Sequence, residues 1–309
     1  MRLIQGTTQF MLGGACAVAI GKFDGIHRGH QELLKYILKQ KEHGLAAAVF
    51  TFDPPPSVFF GSAKSRSLMT REEKRRIFEK IGIDVLIEFP LCAETAAIPP
   101  QTFIEEILVK QMRAAYVAAG TDVTFGDRGR GDSGMMLEYG RKLGFTVKIV
   151  DKICVDGREI SSSLIREQLE QGKMEQVREL IGFPYSVTGT VVHGRQLGRT
   201  IGMPTVNLLP PADKLLPPRG VYFSNVSYHG RHYQSISNIG CKPTVSEENV
   251  MGVETYLYDF DEDIYGREII VNLLAFKRPE MKFRCVEELK CQMQRDIREG
   301  REYLHTIIQ

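Results

Sequence analysis

Apolar and polar positions follow two different patterns along this chain. Up to about residue 180, short apolar runs alternate with segments of helical period. ACAVAI (15–20), LAAAVFTF (45–52), VLIEF (85–89), AAYVAAG (114–120) and FTVKIV (145–150) are the apolar runs. HQELLKYILKQ (30–40), REEKRRIFEKIG (71–82), FIEEILVKQM (103–112) and MMLEYGRKLG (135–144) lie between them. Apolar strands separated by helices predict a parallel sheet covered on both faces. SLIREQLEQG (163–172) and MEQVRELIG (174–182) close this half as two short helices.

Beyond Pro184 the period shortens. YSVTGTVVHG (185–194), TVNLL (205–209), GVYFSNVSYHG (220–230), RHYQSISNIG (231–240), VETYLYDF (253–260) and REIIVNLLAF (267–276) are alternating runs broken by Gly, Pro and Asn. They predict an antiparallel β-barrel or sandwich. The segment from 286 to 308 reads as one helix with Leu289, Met293, Ile297 and Leu304 on an apolar stripe. No repeat or low-complexity linker separates the halves, so domains of residues 1–183 and 184–309 are expected to abut.

A chain of 309 residues is long for one core, which agrees with two domains. Forty basic against 38 acidic residues leave a formal charge of +2, and nothing in that balance asks for a nucleic-acid partner. The apolar stretches fall short of the roughly 20 residues of a spanning helix, and MRLIQGTTQF lacks a signal-peptide core. A cytoplasmic protein with no membrane partner is expected. The six cysteines have no CxxC pair and read as reduced thiols.

The candidate chemistry begins after the first long apolar run, in GKFDGIHRGH (21–30). His27 and His30 are three apart at a helix start and share a face. The unpaired N–H groups there, and the positive end of the helix dipole, suit a nucleotide phosphate. Gly21, Gly25 and Gly29 allow close backbone approach. No glutamate lies between the histidines as in HExxH, so metal is the minority reading. A glycine turn with two surface histidines is the bland alternative, outweighed by the coincidence of strand, glycines, Asp24 and both histidines.

Three more segments end at the same expected edge. TFDPPPSVFFG (51–61) reads as a stiff loop, since three prolines cannot continue a helix or an inner strand. GTDVTFGDRGRGD (120–132) is glycine-rich and basic, which suits a phosphorylated ligand or a solvated loop. ISSSLIRE (160–167) opens a helix with serines as N-caps and sets Arg166 one turn in, where it can clamp a phosphate.

GKFDGIHRGH resembles the signature of the HxGH nucleotidyltransferases, in the branch that adenylylates FMN, a Rossmann-like α/β fold. The resemblance implies ATP contacts from Gly21, Phe23, Asp24, Gly25, His27 and His30. It adds Ser162, Ser163 and Arg166 as a second nucleotide motif, and gives the histidines the stabilisation of charge as pyrophosphate leaves. Asp53, Asp122, Phe125 and Gly126 fall on the flavin side by the same resemblance. Pro55 and Val123 depart from the family pattern, where a histidine and an aromatic residue are usual.

In the second half, GRQLGRTIGMPTVNLLP (194–210) offers a loop marked by Gly194, Gly198 and Gly202, with charge from Arg195 and Arg199. Pro204 fixes the chain before Thr205 and Asn207, which alternate along a strand and point the same way. Their hard oxygens suit Mg²⁺; a turn followed by a half-buried strand is the plain alternative. This segment resembles the riboflavin kinase signature, so Thr205 and Asn207 are expected to hold Mg²⁺ with ATP, and Glu254 to take the proton of the ribityl 5′-hydroxyl. The similarity runs through SNIGCKPTV (237–245) and VETYLYDFDEDIYGREIIV (253–271) to the last helix. Asp259, Asp261, Glu262 and Asp263 read as a solvated turn.

Together the motifs resemble those of the bifunctional riboflavin kinase/FAD synthetases. The implied function is phosphorylation of riboflavin to FMN in the C-terminal half and adenylylation of FMN to FAD in the N-terminal half. Pro55 and Val123 motivate one alternative, a riboflavin kinase whose first half no longer adenylylates FMN. A non-catalytic flavin or nucleotide sensor is another, although a pure binder has no need of a kinase base.

Overall fold

The computed structural model describes residues 1–61, 66–194, 198, 202–243 and 249–308. They form two compact units, Met1–Ser162 and Ser163–Gln309. The first is built on β1 (Arg2–Gln5), β2 (Cys16–Ile20), β3 (Ala46–Asp53), β4 (Val85–Pro90), β5 (Ala114–Gly120) and β6 (Thr146–Val150). These strands lie in the order β1-β4-β3-β2-β5-β6, and every neighbouring pair is parallel.

Helices α1 (Arg28–Lys39), α2 (Pro56–Phe59), α3 (Arg71–Lys80), α4 (Ala93–Ala96), α5 (Pro100–Thr102) and α6 (Ser133–Leu143) connect the strands, with a π-helical stretch over Phe103–Gln111. A small hairpin, β7 (Cys154–Val155) and β8 (Arg158–Glu159), follows. Leu33, Leu34 and Ile37 give α1 its buried face, worth about 2 kcal/mol each.

The chain reverses its direction of travel across the sheet at β2, which has β3 on one side and β5 on the other. Loops leaving the carboxyl ends of β2, β3 and β5 therefore start side by side, the usual ligand edge of such a sheet. Residues 21–27, 54–55 and 121–132 begin there.

Two details differ from the sequence expectation. β1 is an edge strand with only Ile4 buried, too short to show as an apolar run. The proline loop contains the helical turn α2, because Pro56 stands at its first position, where a missing N–H costs nothing.

The second unit contains α8 (Met174–Ile181), β9 (Tyr185–Thr190), β10 (Val206–Leu208), β11 (Gly220–Tyr228), β12 (Arg231–Pro243), β13 (Asn249–Leu257), β14 (Glu268–Arg278) and α9 (Val286–Ile308). Helix α7 (Ser162–Glu170) crosses the division between the units. The strand order is β10-β13-β12-β11-β14-β9, all antiparallel. Val192, just past β9, donates its N–H to the Asn207 carbonyl of β10 at 2.9 Å. That bridge joins the two edge strands and closes the barrel.

The compact units divide after Ser162, whereas the change of sequence pattern falls at 183/184. The reason is that α8 packs on β14 and β9. Helix α9 packs on β12 and β11, but not chiefly through the expected stripe. Leu304 is buried and Ile297 packs against the cluster of Val221, Phe223 and Tyr258, while Leu289 and Met293 are only half-buried. Beside Leu304, its inner face also buries a charge: Asp296 is 2% exposed and accepts from Arg278 Nη2 at 2.6 Å and from Gln292 at 2.9 Å. Among the described residues, no helix is long and apolar enough to cross a membrane.

Candidate active sites

The loop after β2 is held in a conformation that side chains seldom adopt. Phe23 and Ile26 have φ of 50° and 39°, and Gly25 has φ of 88°. It is tied down from two sides: Asp24 Oδ1 accepts the Leu68 N–H at 3.0 Å, and the Asp24 carbonyl accepts the Ser162 hydroxyl at 2.9 Å. Asp24 and Ser162 thus anchor the loop. Buried Phe23 meets the His30 ring at 5.0 Å between centroids.

His27 is the N-cap residue of α1 and His30 ends its first three positions, so the Arg28, Gly29 and His30 amides begin the helix with no intrahelical acceptor. The two imidazoles stack with centroids 3.8 Å apart and planes 28° from parallel. Gly29 makes this fit, since a Cβ there would stand 3.2 Å from the His27 ring. Nδ1 of each histidine is buried without a hydrogen-bond partner among the described residues. Burial lowers the His27 pKa to about 4, with a small opposing pull from Asp122. His30 lies well below its ordinary value through burial, the neighbouring His27 and the Lys74 ammonium. Both rings are therefore neutral at pH 7 and act as donors or acceptors rather than as cations.

The remaining expected residues of the first half take several places. Asp53 ends β3 and receives Arg71 at 2.5 Å. Asp122 pairs with Lys152 at 3.5 Å. Phe125 is 3% exposed and stacks on Phe103 at 5.4 Å, so its ring belongs to the core instead of presenting a face to a flavin. Gly126 fits where a Cβ would collide with the Pro100 backbone at 2.6 Å. Val123 packs against the same core, and Pro55 precedes the turn of α2. Ser163 and Arg166 follow Ser162 within α7.

In the barrel, three expected residues meet. Register sets Asn207 of β10 opposite Glu254 of β13. The Thr205 hydroxyl donates to Glu254 Oε1 at 2.7 Å. A hydroxyl that donates to a carboxylate keeps lone pairs for a cation, and the Asn207 amide adds a further oxygen. This all-oxygen set fits Mg²⁺, which commonly takes few protein ligands together with phosphates and water.

The glycines act by leaving room. A Cβ at Gly194 would lie 2.3 Å from the Asn207 amide, and one at Gly198 2.2 Å from the Met203 carbonyl oxygen. Gly202 has φ of 76°, and Pro204 follows at the foot of the strand. Arg199 and Arg195 lie outside the described residues.

Asn238 of β12 is the residue that sequence reasoning passed over: it stands opposite Glu254 on the other side and donates to Glu280 at 3.3 Å. Strand register finds it; the local sequence carries no signal for it.

Residues 12–164 match the FAD synthetase family, and residues 181–304 the riboflavin kinase family. A Listeria monocytogenes protein named bifunctional riboflavin kinase/FMN adenylyltransferase is 36% identical over 293 residues, 93% of this chain and 91% of that one. The Escherichia coli protein of that name is 35% identical over 308 residues, 98% of each chain. A crystal structure from Streptococcus pneumoniae described as a macrolide-efflux protein superposes with a TM-score of 0.83 at 29% identity, covering 94% of this chain and 95% of that one. By its two domains and its relatives, the chain belongs to the bifunctional riboflavin kinase/FMN adenylyltransferase family.

Proposed function

We propose that this chain converts riboflavin to FAD in two ATP-dependent steps, with residues 184–309 carrying the first and residues 1–183 the second. The observation that carries the reading is the convergence of Thr205 and Asn207 on Glu254, in the half that matches riboflavin kinase.

In the first step, Glu254 accepts the proton of the riboflavin 5′-hydroxyl as its oxygen attacks the γ-phosphorus of ATP and ADP leaves. A positioned carboxylate base contributes typically 10²–10⁴-fold. Thr205 and Asn207 hold Mg²⁺, which neutralises charge on the phosphates. Gly194, Gly198, Arg199, Gly202 and Pro204 form the loop that shapes the ATP site.

In the second step, a phosphate oxygen of FMN attacks the α-phosphorus of a second ATP, and pyrophosphate leaves with the electron pair of the broken bond. This nucleophile is already an anion, so the site has only to place the reactants and offset charge. His27 and His30 donate as neutral imidazoles beside the first amides of α1. Gly21, Phe23, Asp24 and Gly25 shape the loop, and Ser162, Ser163 and Arg166 supply the second nucleotide segment. Asp53 and Asp122 are assigned to the flavin side. We place the protein in the cytoplasm, with riboflavin, FMN and ATP as its small-molecule partners.

One time course with riboflavin and Mg-ATP, separating FMN from FAD, tests the reading. FMN is expected first and FAD after it. Accumulation of FMN with no FAD and no pyrophosphate leaves only the kinase half of the proposal standing.

A further inference from the structure

The neutral state of His27 and His30 leaves the positive charge that offsets a departing pyrophosphate to other groups, of which Arg166 is one already assigned to the site. Helix α3 carries four cations in its first six residues: Arg71, Lys74, Arg75 and Arg76. Two are engaged with carboxylates at the ends or within the sheet. Arg71 is bound to Asp53 at 2.5 Å, and Arg75 holds Glu88, which is 4% exposed, with Nε at 3.0 Å from Oε1. Lys74 has no carboxylate partner among the described residues and is half-buried.

The placement of Lys74 is set by its own helix. The Thr70–Glu73 capping box fixes the start of α3: the Thr70 hydroxyl accepts the Glu73 N–H at 3.2 Å, and the Glu73 carboxylate accepts the Thr70 N–H at 2.9 Å. Phe78, four residues beyond Lys74 and so on the same face, meets Phe23 edge-on at 5.5 Å, and Phe23 meets His30 at 5.0 Å. Just before the cap, the Leu68 N–H is bonded to Asp24. Two contacts thus lock this stretch to the histidine loop and hold the Lys74 side of α3 toward it. The Lys74 charge also acts on His30.

We infer that Lys74 is a phosphate-binding residue of the adenylyl-transfer site, which takes up the negative charge of pyrophosphate as the bond from the α-phosphorus to its bridging oxygen breaks. No proton moves to or from the lysine in this step. The inference rests on the adenylyl-transfer reading of the first half.

The test uses the full chain with Lys74→Met and Lys74→Arg. In the reverse reaction, FAD plus pyrophosphate, Lys74→Met is expected to lower kcat/KM for pyrophosphate about ten- to a hundredfold, the effect of one hydrogen bond to a charged group. KM for FMN and the rate of riboflavin phosphorylation stay unchanged, and Lys74→Arg restores most of the loss. An unchanged kcat/KM for pyrophosphate overturns the inference, and so does an equal fall in the kinase rate, which marks general damage to the fold. Titration of pyrophosphate into each protein by calorimetry separates the two levels of the argument. If the wild type makes no FAD, binding that is lost in Lys74→Met still supports the lysine, and equal binding overturns it.

Discussion

An imidazole kept from water loses its charged form, and His27 and His30 show what that costs the folded chain. In the unfolded chain each takes a proton near pH 6.5, whereas folded His27 resists until about pH 4 and folded His30 lies well below its ordinary value. Between these values the unfolded state binds more protons, so stability is complete above pH 6.5 and is lost as pH falls toward 4. For His27 the span corresponds to about 3 kcal/mol. The groups that act on the pair are Asp122, which favours protonation of His27, and Lys74, which opposes that of His30. Urea midpoints from pH 7 to 4.5 are expected to fall less in His27→Gln than in the wild type. Parallel curves for the two proteins would show that the buried ring is not what titrates. A phosphate bound at the pair raises both pKa values, so ATP is expected to protect most in that same range.

At the scale of elements, what the sequence concealed was polar burial. The apolar runs locate β2 to β6, and the alternating runs locate β9 to β14, because burial on two faces or on one leaves a period that can be counted. A single buried charge leaves none. Asp296, three residues after Met293, falls on the side of the apolar stripe of α9, but nothing in its own helix marks it as paired, and only the fold brings Arg278 of β14 to it. Glu88 in β4 and Arg75 in α3 repeat the case. The catalytic candidates are legible for the opposite reason: His27, His30, Thr205 and Asn207 lie within a few residues of one another in their motifs. Glu254 and Asn238 need the pairing of β10, β13 and β12 to meet them. Removing one member of a buried pair strands the other. Asp296→Ala is expected to cost about 3–5 kcal/mol in urea unfolding, with part regained in the double variant Asp296→Ala/Arg278→Met. A double variant less stable than the single one would mean that Arg278 has other support.

At the scale of the whole molecule, the proposed function assigns the two chemistries to separate sets of residues. Each can then be removed without the other. Glu254→Ala is expected to lower FMN formation at least about a hundredfold, the contribution of a positioned base, while adenylylation of supplied FMN continues. His30→Ala is expected to make FMN from riboflavin and stop there. The informative experiment mixes the two variants with riboflavin and Mg-ATP. FMN made by His30→Ala can reach the intact adenylylating half of Glu254→Ala only through solution. FAD should therefore accumulate in the mixture and in neither variant alone, after a lag that shortens as the protein concentration rises. If the mixture makes no FAD while each variant keeps its own step, the product must instead pass between sites of the same chain, and the two halves form one machine rather than two enzymes on one polypeptide.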